Sequence, residues 1–161
     1  MAQNPVQAQV ILRPMTFSDL DEVVALDCAS FPTPWPKEAF EYELRHQGQS
    51  LCWVAEWLGD DRKAIIVGTI VIWLMGVKAH IGTLAVRPGY RRLGIGRHLL
   101  LFGLRLCTEK GVQFVTLEVR KSNQAAQQLY REQGFETSGI KENYYKDSHE
   151  DAIVMTLALL N

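Results

Sequence analysis

A glycine-rich turn near the middle of the chain carries the residue types that bind a phosphate group. Residues 92–97 read Arg-Leu-Gly-Ile-Gly-Arg and lie between a predicted strand and a predicted helix. The first turn of a helix has up to four unpaired backbone N–H groups and carries roughly half a positive charge. Glycines let an anion approach this backbone, and the side chains of Arg91, Arg92 and Arg97 add charged donors. This segment, the glycine turn, therefore predicts a site for a phosphorylated ligand.

Two known nucleotide-binding turns, the Walker A loop and the dinucleotide-binding turn, fit residues 92–97 poorly. A Walker A loop ends in Gly-Lys-Ser or Gly-Lys-Thr, whereas Gly96 is followed by Arg97 and His98, which excludes it. A dinucleotide-binding turn needs a third glycine, which is absent here, and its first glycine comes directly after the strand. Gly94 lies roughly seven residues beyond the strand, but Glu118 imitates the acidic residue of such a site and keeps this alternative open. The remaining alternative is that this segment only begins a helix, with its arginines in solvent and no bound ligand.

The other reactive side chains show no pattern of a metal site or a nucleophile. The four histidines and three cysteines have no metal-ligand spacing, so no metal is expected. The cysteines are far apart and lack a C-x-x-C pair, which is typical of reduced thiols in a cytoplasmic protein. Cys107 lies in the predicted long helix and is expected in the core, which disfavours an acyl-cysteine intermediate.

The elements that must position the glycine turn are mostly strands, with helices as crossovers. Strands are predicted at residues 10–13, 51–57, 65–75, 80–86, 114–119, 135–140 and 152–158. Helices are predicted to begin after Thr16 or Ser18, at Pro36, at the glycine turn and at Ser122 or Asn123. This alternation predicts an α/β (α+β) fold with a mixed sheet.

Length and composition favour one domain. The chain has 161 residues, of which 47% are hydrophobic and 22% charged, enough to bury one core without disulfides or metal. The net charge of −1 shows no basic surplus of the kind that binds nucleic acid or a membrane surface. Residues 1–9 lack the pattern of an export signal, and the apolar stretch at residues 64–77 is too short to span a membrane. We expect a single domain over residues 1–161, with its core at about residues 10–159, in the cytoplasm and as a monomer, with a dimer as the alternative.

Two segments resemble conserved blocks of the GCN5-related N-acetyltransferase superfamily. Residues 84–97, LAVRPGYRRLGIGR, resemble its central motif R/Q-x-x-G-x-G/A, and residues 117–135 resemble its next block. Four further pieces are similar to the RimI branch, at residues 31–35, 118–120, 143–145 and 150–152. Enzymes of this branch acetylate the N-terminal alanine of a small-subunit ribosomal protein. The resemblance extends over residues 10–159.

The resemblance implies a mixed, mostly antiparallel sheet with helices on both faces and a splayed pair of parallel strands, residues 80–86 and 114–119. Acetyl-CoA would bind where these strands separate. Its pantetheine arm would pair with the backbone of Leu84, Ala85 and Val86. Its pyrophosphate would bind the N–H groups of Arg92, Leu93, Gly94, Ile95, Gly96 and Arg97. Arg91 stands beside them at a position that is often glutamine, and Asn123 would hydrogen-bond the cofactor near its reactive end.

The resemblance also implies that an amine attacks the thioester directly. Glu118 would be the general base, directly or through water, and Tyr130 the general acid toward the sulfur. We expect partial burial to raise the pKa of Glu118 above about 4.3, its ordinary value. The simpler alternatives are a Glu118 paired with Arg120 or Lys121 and a Tyr130 in the core. The acceptor groove would be walled by Trp35, Tyr144 and Tyr145, for which surface aromatics are the alternative.

The acceptor is expected to be the N-terminus of a protein chain. Deprotonating an α-amine of pKa about 8 at pH 7 costs on the order of 1 kcal/mol, whereas a lysine of pKa about 10.4 costs roughly 4–5 kcal/mol. One moderate base therefore suits an α-amine, and the resemblance implies the alanine of a ribosomal protein. A lysine or small-molecule amine acetyltransferase and a non-catalytic acyl-CoA-binding domain are the alternatives. Nucleic-acid and membrane partners are not expected.

Overall fold

Seven strands of the described part of the chain form one sheet. The computed structural model describes residues 9–159, so most of the segment searched for an export signal, residues 1–8, lies outside the described residues. The strands are β1 (Val10–Pro14), β2 (Ser50–Leu58), β3 (Ala64–Met75), β4 (Lys78–Val86), β5 (Phe114–Arg120), β6 (Glu136–Tyr145) and β7 (Glu150–Ala158). Their order in the sheet is β1-β2-β3-β4-β5-β7-β6, and every neighbouring pair is antiparallel except β4 and β5. The sheet is therefore mixed and mostly antiparallel, which confirms the expected fold class.

The helices pack on both faces of this sheet, as the resemblance implied. They are a 3-10 turn (Phe17–Asp19), α1 (Leu20–Ser30), α2 (Lys37–Arg45), α3 (Ile95–Glu109) and α4 (Gln124–Glu132). On one face, α1 and α2 bury apolar side chains such as Leu26 and Phe40. On the other face, α3 and α4 bury Leu99 and Tyr130 together with the strand residue Leu117. None of the helices within residues 9–159 is long and apolar enough to cross a membrane.

Two glycines let α3 approach the sheet closely. A Cβ atom at Gly68 of β3 would lie 2.7 Å from Leu99 Cδ1, and one at Gly103 of α3 would lie 2.7 Å from Ile72 Cδ1. Side chains do not pack at that distance, so a larger residue at either position would push the helix outward. The close contact fixes α3 over β3 and so fixes where its N-terminus lies.

The first helical segment begins at one of its two predicted caps, but the sixth strand is longer than predicted. Thr16 is the N-cap of the 3-10 turn, and Asp19, the last residue of that turn, accepts a hydrogen bond from the backbone N–H of Thr16 at 2.8 Å. Helix α1 follows directly. The sequence predicts an end at Ile140 for the sixth strand, but β6 continues to Tyr145. The strand stays paired because Tyr145 lies opposite Glu150 of β7 beyond a bulge. A bulge interrupts the two-residue alternation by which a strand is recognised in sequence.

The parallel strands β4 and β5 pair over only three positions and then separate. The pairs are Lys78–Phe114, Ala79–Val115 and His80–Thr116. A bulge in β4 follows, because Gly82 has no partner on β3 whereas the residues on either side of it do. Beyond this point the edge of β4 that faces β5 has no neighbouring strand. This is the splayed parallel pair that the resemblance implied.

Gly82 occupies the bulge at a position where any side chain would crowd two aromatic rings. A Cβ atom at this position would lie 3.0 Å from ring carbons of both Trp35 and Trp73. These two indole rings are stacked, with their centroids 5.6 Å apart. The start of the splay therefore depends on a glycine that packs beneath two aromatic rings.

Candidate active site between two diverging strands

A cavity of about 190 Å³ opens where β4 and β5 diverge. Its walls come from the loop between α1 and α2, from the two strands, from the start and middle of α4 and from the end of β6. Of the residues expected to bind or react, it brings together Trp35, Leu84, Glu118, Asn123, Tyr130 and Tyr145. Nowhere in residues 9–159 do three or more His, Cys, Asp or Glu side chains form a group that could hold a metal ion.

Both carboxylate oxygens of Glu118 are paired. Oε2 lies 2.6 Å from His80 Nε2 on β4, and Oε1 lies 2.7 Å from Lys141 Nζ on β6. The hydrogen bond with His80 lowers the pKa of Glu118 to about 2, with burial opposing this shift and Lys141 adding to it. The expected rise of this pKa is therefore wrong, because the two partners outweigh the partial loss of water.

Glu118 does not pair with the cations next to it in sequence. Arg120 lies on β5 two residues further on, but it forms ion pairs with Asp147 at 3.1 Å and Glu150 at 3.5 Å. Neither Arg120 nor Lys121 is a hydrogen-bond partner of Glu118 in the structure described. The partners come instead from the strands that the fold brings to either side of β5 and β7.

His80 belongs to this site although motif reasoning does not include it. Its Nε2 faces Glu118, and its Nδ1 lies 2.7 Å from Thr116 Oγ1. The imidazole stacks on Trp73 with ring centroids 5.5 Å apart and an angle of 8° between the planes. The sequence contains one indication of this position: His80 begins the predicted strand that is expected to lie beside the strand of Glu118. The register of two parallel strands cannot be read from sequence, so this signal alone does not show that the side chains meet.

Tyr130 reaches the cavity from α4. Its side chain is almost fully buried and packs edge-on against Phe135, with ring centroids 5.6 Å apart. Burial raises the pKa of the Tyr130 phenol, so the hydroxyl remains protonated. Tyr130 therefore packs in the core with its ring and also forms part of the cavity wall. A protonated hydroxyl in such a wall can donate a hydrogen bond to a bound group.

Asn123 begins the helix that carries Tyr130. Its Oδ1 accepts a hydrogen bond from the backbone N–H of Ala126 at 3.1 Å, which makes Asn123 the N-cap of α4. Ser122, the alternative cap, instead donates its backbone N–H to Glu150 at 2.7 Å. Because the cap uses Oδ1, a ligand in the cavity would meet the amide through Nδ2.

The N-terminus of α3 has unpaired donors. Gly94 is the N-cap with a φ of 86°, a left-handed conformation that favours glycine, and Arg92 has a φ of 65°. The first helical hydrogen bond joins the N–H of His98 to the carbonyl of Gly94. Within the described chain, no protein acceptor takes the preceding N–H groups, those of Gly94, Ile95, Gly96 and Arg97. These groups are available to an anion.

Arg91 folds back onto the end of β4. Its Nε donates to the carbonyl of Val86 at 2.9 Å. Arg87 donates to two carbonyls of β3, at 2.7 Å from its backbone and 2.9 Å from its side chain. These bonds hold the loop between β4 and α3 against the sheet. The Val86 carbonyl is therefore already occupied, Ala85 is buried in the core, and Leu84 lines the cavity.

Trp35 is held beside the cavity by a buried carboxylate. Its backbone N–H donates to Asp27 Oδ2 at 2.7 Å, and Asp27 Oδ1 accepts a hydrogen bond from the Thr83 hydroxyl at 3.3 Å. Asp27 is fully buried, and burial raises its pKa. The carboxylate joins the loop after α1 to β4, so that Trp35, Trp73 and His80 stack in sequence along one face of the sheet.

The two adjacent tyrosines near the end of β6 have different surroundings. Tyr145 lines the cavity, where burial raises its pKa to about 12 and the Arg120 guanidinium lies 4.0 Å from its ring centroid. Tyr144 is exposed and lies outside the cavity walls, with Lys141 Nζ 5.2 Å from its ring centroid. The two rings nevertheless contact each other edge to face, with centroids 5.1 Å apart and an angle of 89° between their planes.

Comparison with known proteins finds acetyltransferases along most of the chain. The profile of the Acetyltransferase (GNAT) family matches residues 20–135. The ribosomal protein bS18-alanine N-acetyltransferase of Salmonella typhimurium is 33% identical over 147 residues, covering 90% of this chain and 95% of that protein. The crystal structure of the Escherichia coli ribosomal-protein-S18-alanine N-acetyltransferase has a TM-score of 0.83 at 27% identity, covering 94% of this chain and 95% of that one. Arabidopsis thaliana Naa50 in complex with the bisubstrate analogue CoA-Ac-MVNAL has a TM-score of 0.81 at 25% identity, covering 94% and 99% of the two chains.

Proposed function

The chain belongs to the acetyltransferase (GNAT) family, and we propose that it acetylates the N-terminus of a protein. The donor is acetyl-CoA, and the acceptor is the α-amine of an N-terminal alanine in a small-subunit ribosomal protein. The Salmonella and Escherichia coli relatives are named for acetylation of alanine on this class of protein. In this proposal the chain acts in the cytoplasm as a single-domain monomer.

The observation that carries this proposal is the early end of the β4–β5 pairing. After the pair His80–Thr116, the edge of β4 is open, and the cavity beside it has Glu118 and Tyr130 in its walls. An extended pantetheine arm can pair with an open strand edge as another strand would. The thioester at the end of that arm would then lie between a carboxylate and a phenol.

The glycine turn supports the same placement of acetyl-CoA. The unpaired N–H groups at the start of α3 suit a pyrophosphate, and the exposed arginines Arg92 and Arg97 add charge. From this end the arm would run along Leu84 toward the cavity, where Asn123 Nδ2 can reach the acyl end. Arg91 contributes by holding the turn against Val86.

Glu118 and Tyr130 have complementary tasks in the proposed reaction. The amine nitrogen attacks the thioester carbonyl carbon, the carbon–sulfur bond breaks, and coenzyme A leaves as a thiolate. Glu118 orients the amine and takes up its proton, directly or through water, while Tyr130 protonates the sulfur. Glu118 stays ionised because its pKa is about 2, so it can accept a hydrogen bond from an ammonium. Tyr130 keeps its proton because burial raises its pKa.

The cavity suits an α-amine with a small side chain. A carboxylate of low pKa supplies little driving force for proton removal, so the acceptor must be an amine that deprotonates at low cost, about 1 kcal/mol at pH 7 for an α-amine. The space of about 190 Å³ must hold both the acetyl group and the first residue of the acceptor. Trp35 and Tyr145 are among the side chains that bound this space, and its small size favours alanine over a longer side chain.

Acetyl-CoA turnover on a peptide panel, read by intact mass, tests the proposal. The panel contains one sequence with Ala at its N-terminus, the same sequence with Met there, and an N-terminally blocked copy that retains an internal lysine. We expect one added acetyl group on the Ala peptide, a slower reaction on the Met peptide and none on the blocked copy.

Each other outcome identifies an alternative. Labelling of the blocked peptide alone would make the enzyme a lysine acetyltransferase, and labelling of polyamines alone would make it a small-molecule enzyme. Coenzyme A binding without acetyl transfer to any amine would leave an acyl-CoA-binding domain. If calorimetry showed that the folded protein does not bind acetyl-CoA, the proposal would be wrong.

A further inference from the structure

His80 contacts Glu118 without lining the cavity. Three contacts hold its imidazole: Nε2 faces Glu118 Oε2 at 2.6 Å, Nδ1 faces Thr116 Oγ1 at 2.7 Å, and the ring stacks on Trp73. The His80 side chain is mostly buried. A ring bonded at both nitrogens and stacked on one face has a fixed orientation, so the carboxylate oxygen bonded to it is fixed as well.

The two partners of Glu118 differ in their exposure to solvent. The side chain of His80 is 17% exposed and that of Lys141 is 50% exposed. Lysine is a flexible cation, and solvent weakens its ion pairs. An acceptor ammonium can therefore replace Lys141 at Oε1 while His80 keeps Oε2 in place.

We propose that His80 is a positioning residue for acetyl transfer, which holds Glu118 Oε2 and directs Oε1 to the acceptor amine. This inference rests on the proposed acetylation of an amine. An imidazole that donates from Nε2 to Glu118 accepts at Nδ1 from the Thr116 hydroxyl.

Other ionisable groups on the surrounding elements do not bond this pair, apart from Lys141. Asp27 on α1 is joined to β4 through Thr83, and Glu43 on α2 accepts a hydrogen bond from Trp73 Nε1 at 2.8 Å. The remaining neighbours are the Arg120 guanidinium on β5 and the Tyr145 phenol on β6, which contact each other. Among the described residues, His80 is thus the one imidazole bonded to Glu118.

The split between kcat and KM for the Ala peptide tests this role. His80→Gln keeps an amide donor for Glu118 Oε2, whereas His80→Ala removes the donor. A positioning role predicts that kcat falls about tenfold in His80→Gln and further in His80→Ala, while KM for acetyl-CoA changes little. Thr116→Val keeps the imidazole but frees its Nδ1, so it lowers kcat less than His80→Ala does. His46→Gln, which changes an imidazole at the end of α2, leaves kcat unchanged.

Nuclear magnetic resonance provides a readout that needs no turnover. The resonance of the His80 Nε2–H is expected to shift in Glu118→Gln, because a charged acceptor is replaced by a neutral one. A wild-type kcat in His80→Ala, or a His80 resonance that is unchanged in Glu118→Gln, overturns the inference. If the wild type acetylates no amine, the proposed function fails, and the His80 resonance still decides the pairing on its own.

Discussion

Glu118 is an ionised carboxylate whose two oxygens have different partners. His80 and Lys141 keep its pKa at about 2, so the group stays ionised at any ordinary pH. In the proposed reaction, the direction of its oxygens matters as much as its basicity. A side chain with the same shape and no charge should therefore retain the fold and lose the reaction.

Glu118→Gln is expected to lower kcat by about 10²- to 10⁴-fold, because the proton acceptor is removed while the geometry of the cavity is kept. Binding of acetyl-CoA should change little, since the proposed pyrophosphate site lies at the start of α3. Steady-state kinetics and titration calorimetry measure the two quantities. Glu142→Gln, which alters an exposed glutamate on β6, is the matched control and should behave as wild type. An equal loss in both variants would remove Glu118 from its role.

Tyr130→Phe tests the proposed acid at the sulfur. The ring and its packing on Phe135 remain, so the loss of the hydroxyl should lower kcat about 10²-fold with little change in the unfolding temperature. Because burial raises the pKa of Tyr130, the wild type should show no loss of rate from this group up to about pH 10. A Phe variant with a full wild-type kcat would show that another group, or water, protonates coenzyme A.

At the scale of elements, the site exists because β4 leaves its neighbour after three pairs. The bulge at Gly82 marks this point, and two indole rings lie where a side chain would be. The strand edge, the acceptor wall and the stack that supports His80 therefore meet at one backbone position. A small change there should affect all three.

Gly82→Ala is expected to reduce activity more than stability. Its Cβ atom would be 3.0 Å from the rings of Trp35 and Trp73, so the rings must shift, at a cost of about 1–3 kcal/mol in the free energy of unfolding. We expect KM for the peptide to rise because Trp35 moves. Gly139→Ala on β6, where the nearest side-chain atom is 3.9 Å away, is the control, measured by urea unfolding and kinetics. A KM for the peptide that is the same in Gly82→Ala as in wild type would show that the bulge does not affect acceptor binding.

The glycine turn can be tested with two glycines at opposite ends of α3. Gly94 has a φ of 86° and Gly111 has a φ of 79°, and neither would place a Cβ atom within 4 Å of another group. Alanine at either position should cost about 1–2 kcal/mol of stability through backbone strain alone. Only Gly94→Ala should also weaken acetyl-CoA binding, by about tenfold, the loss of one charge-assisted hydrogen bond. Calorimetry of both variants decides, and equal affinities would exclude the turn as the pyrophosphate site.

Over the described part of the molecule, several carboxylates are held below their ordinary pKa by hydrogen-bonded partners. The hydrogen bond from Arg13 lowers the pKa of Asp19. Arg13 Nη1 lies 2.7 Å from Asp19 Oδ2. Glu118 is shifted in the same direction. A carboxylate with a lowered pKa in the folded state stabilises the fold above its unfolded pKa, and this contribution is lost as pH falls toward the folded value. The protein should therefore lose stability below about pH 4.

Asp19→Asn should make stability less sensitive to acid. The variant is less stable than wild type at pH 7 but loses less on acidification to pH 3, by about 1–3 kcal/mol, because it has no charge to neutralise. Urea unfolding of both proteins at the two pH values provides the comparison. Asp60→Asn, in the exposed turn between β2 and β3, is the control. Parallel pH curves for wild type and Asp19→Asn would show that the Arg13 pair has no such effect.

The sequence by itself determined the family, the order of strands and helices along the chain and the position of the glycine turn at the start of α3. These properties are local: a glycine in a left-handed conformation, a helix start and a run of alternating residues each depend on neighbours in the chain. The same kind of pattern predicts that Ser122 or Asn123 caps a helix and that Cys107 lies in the core. In the structure Asn123 is the cap and Cys107 is buried. The expected end of the sixth strand at Ile140 failed because a bulge hides the alternation.

Only the tertiary structure decided the partners of Glu118. His80 and Lys141 are 38 and 23 residues away from it in sequence, and they meet it because strand register places them on either side. That register depends on where β4 and β5 stop pairing and on the bulges in β4 and β6. A shift of one residue would turn each side chain to the other face of the sheet. The direction of the Glu118 pKa shift therefore followed from packing, and burial alone predicted the opposite sign.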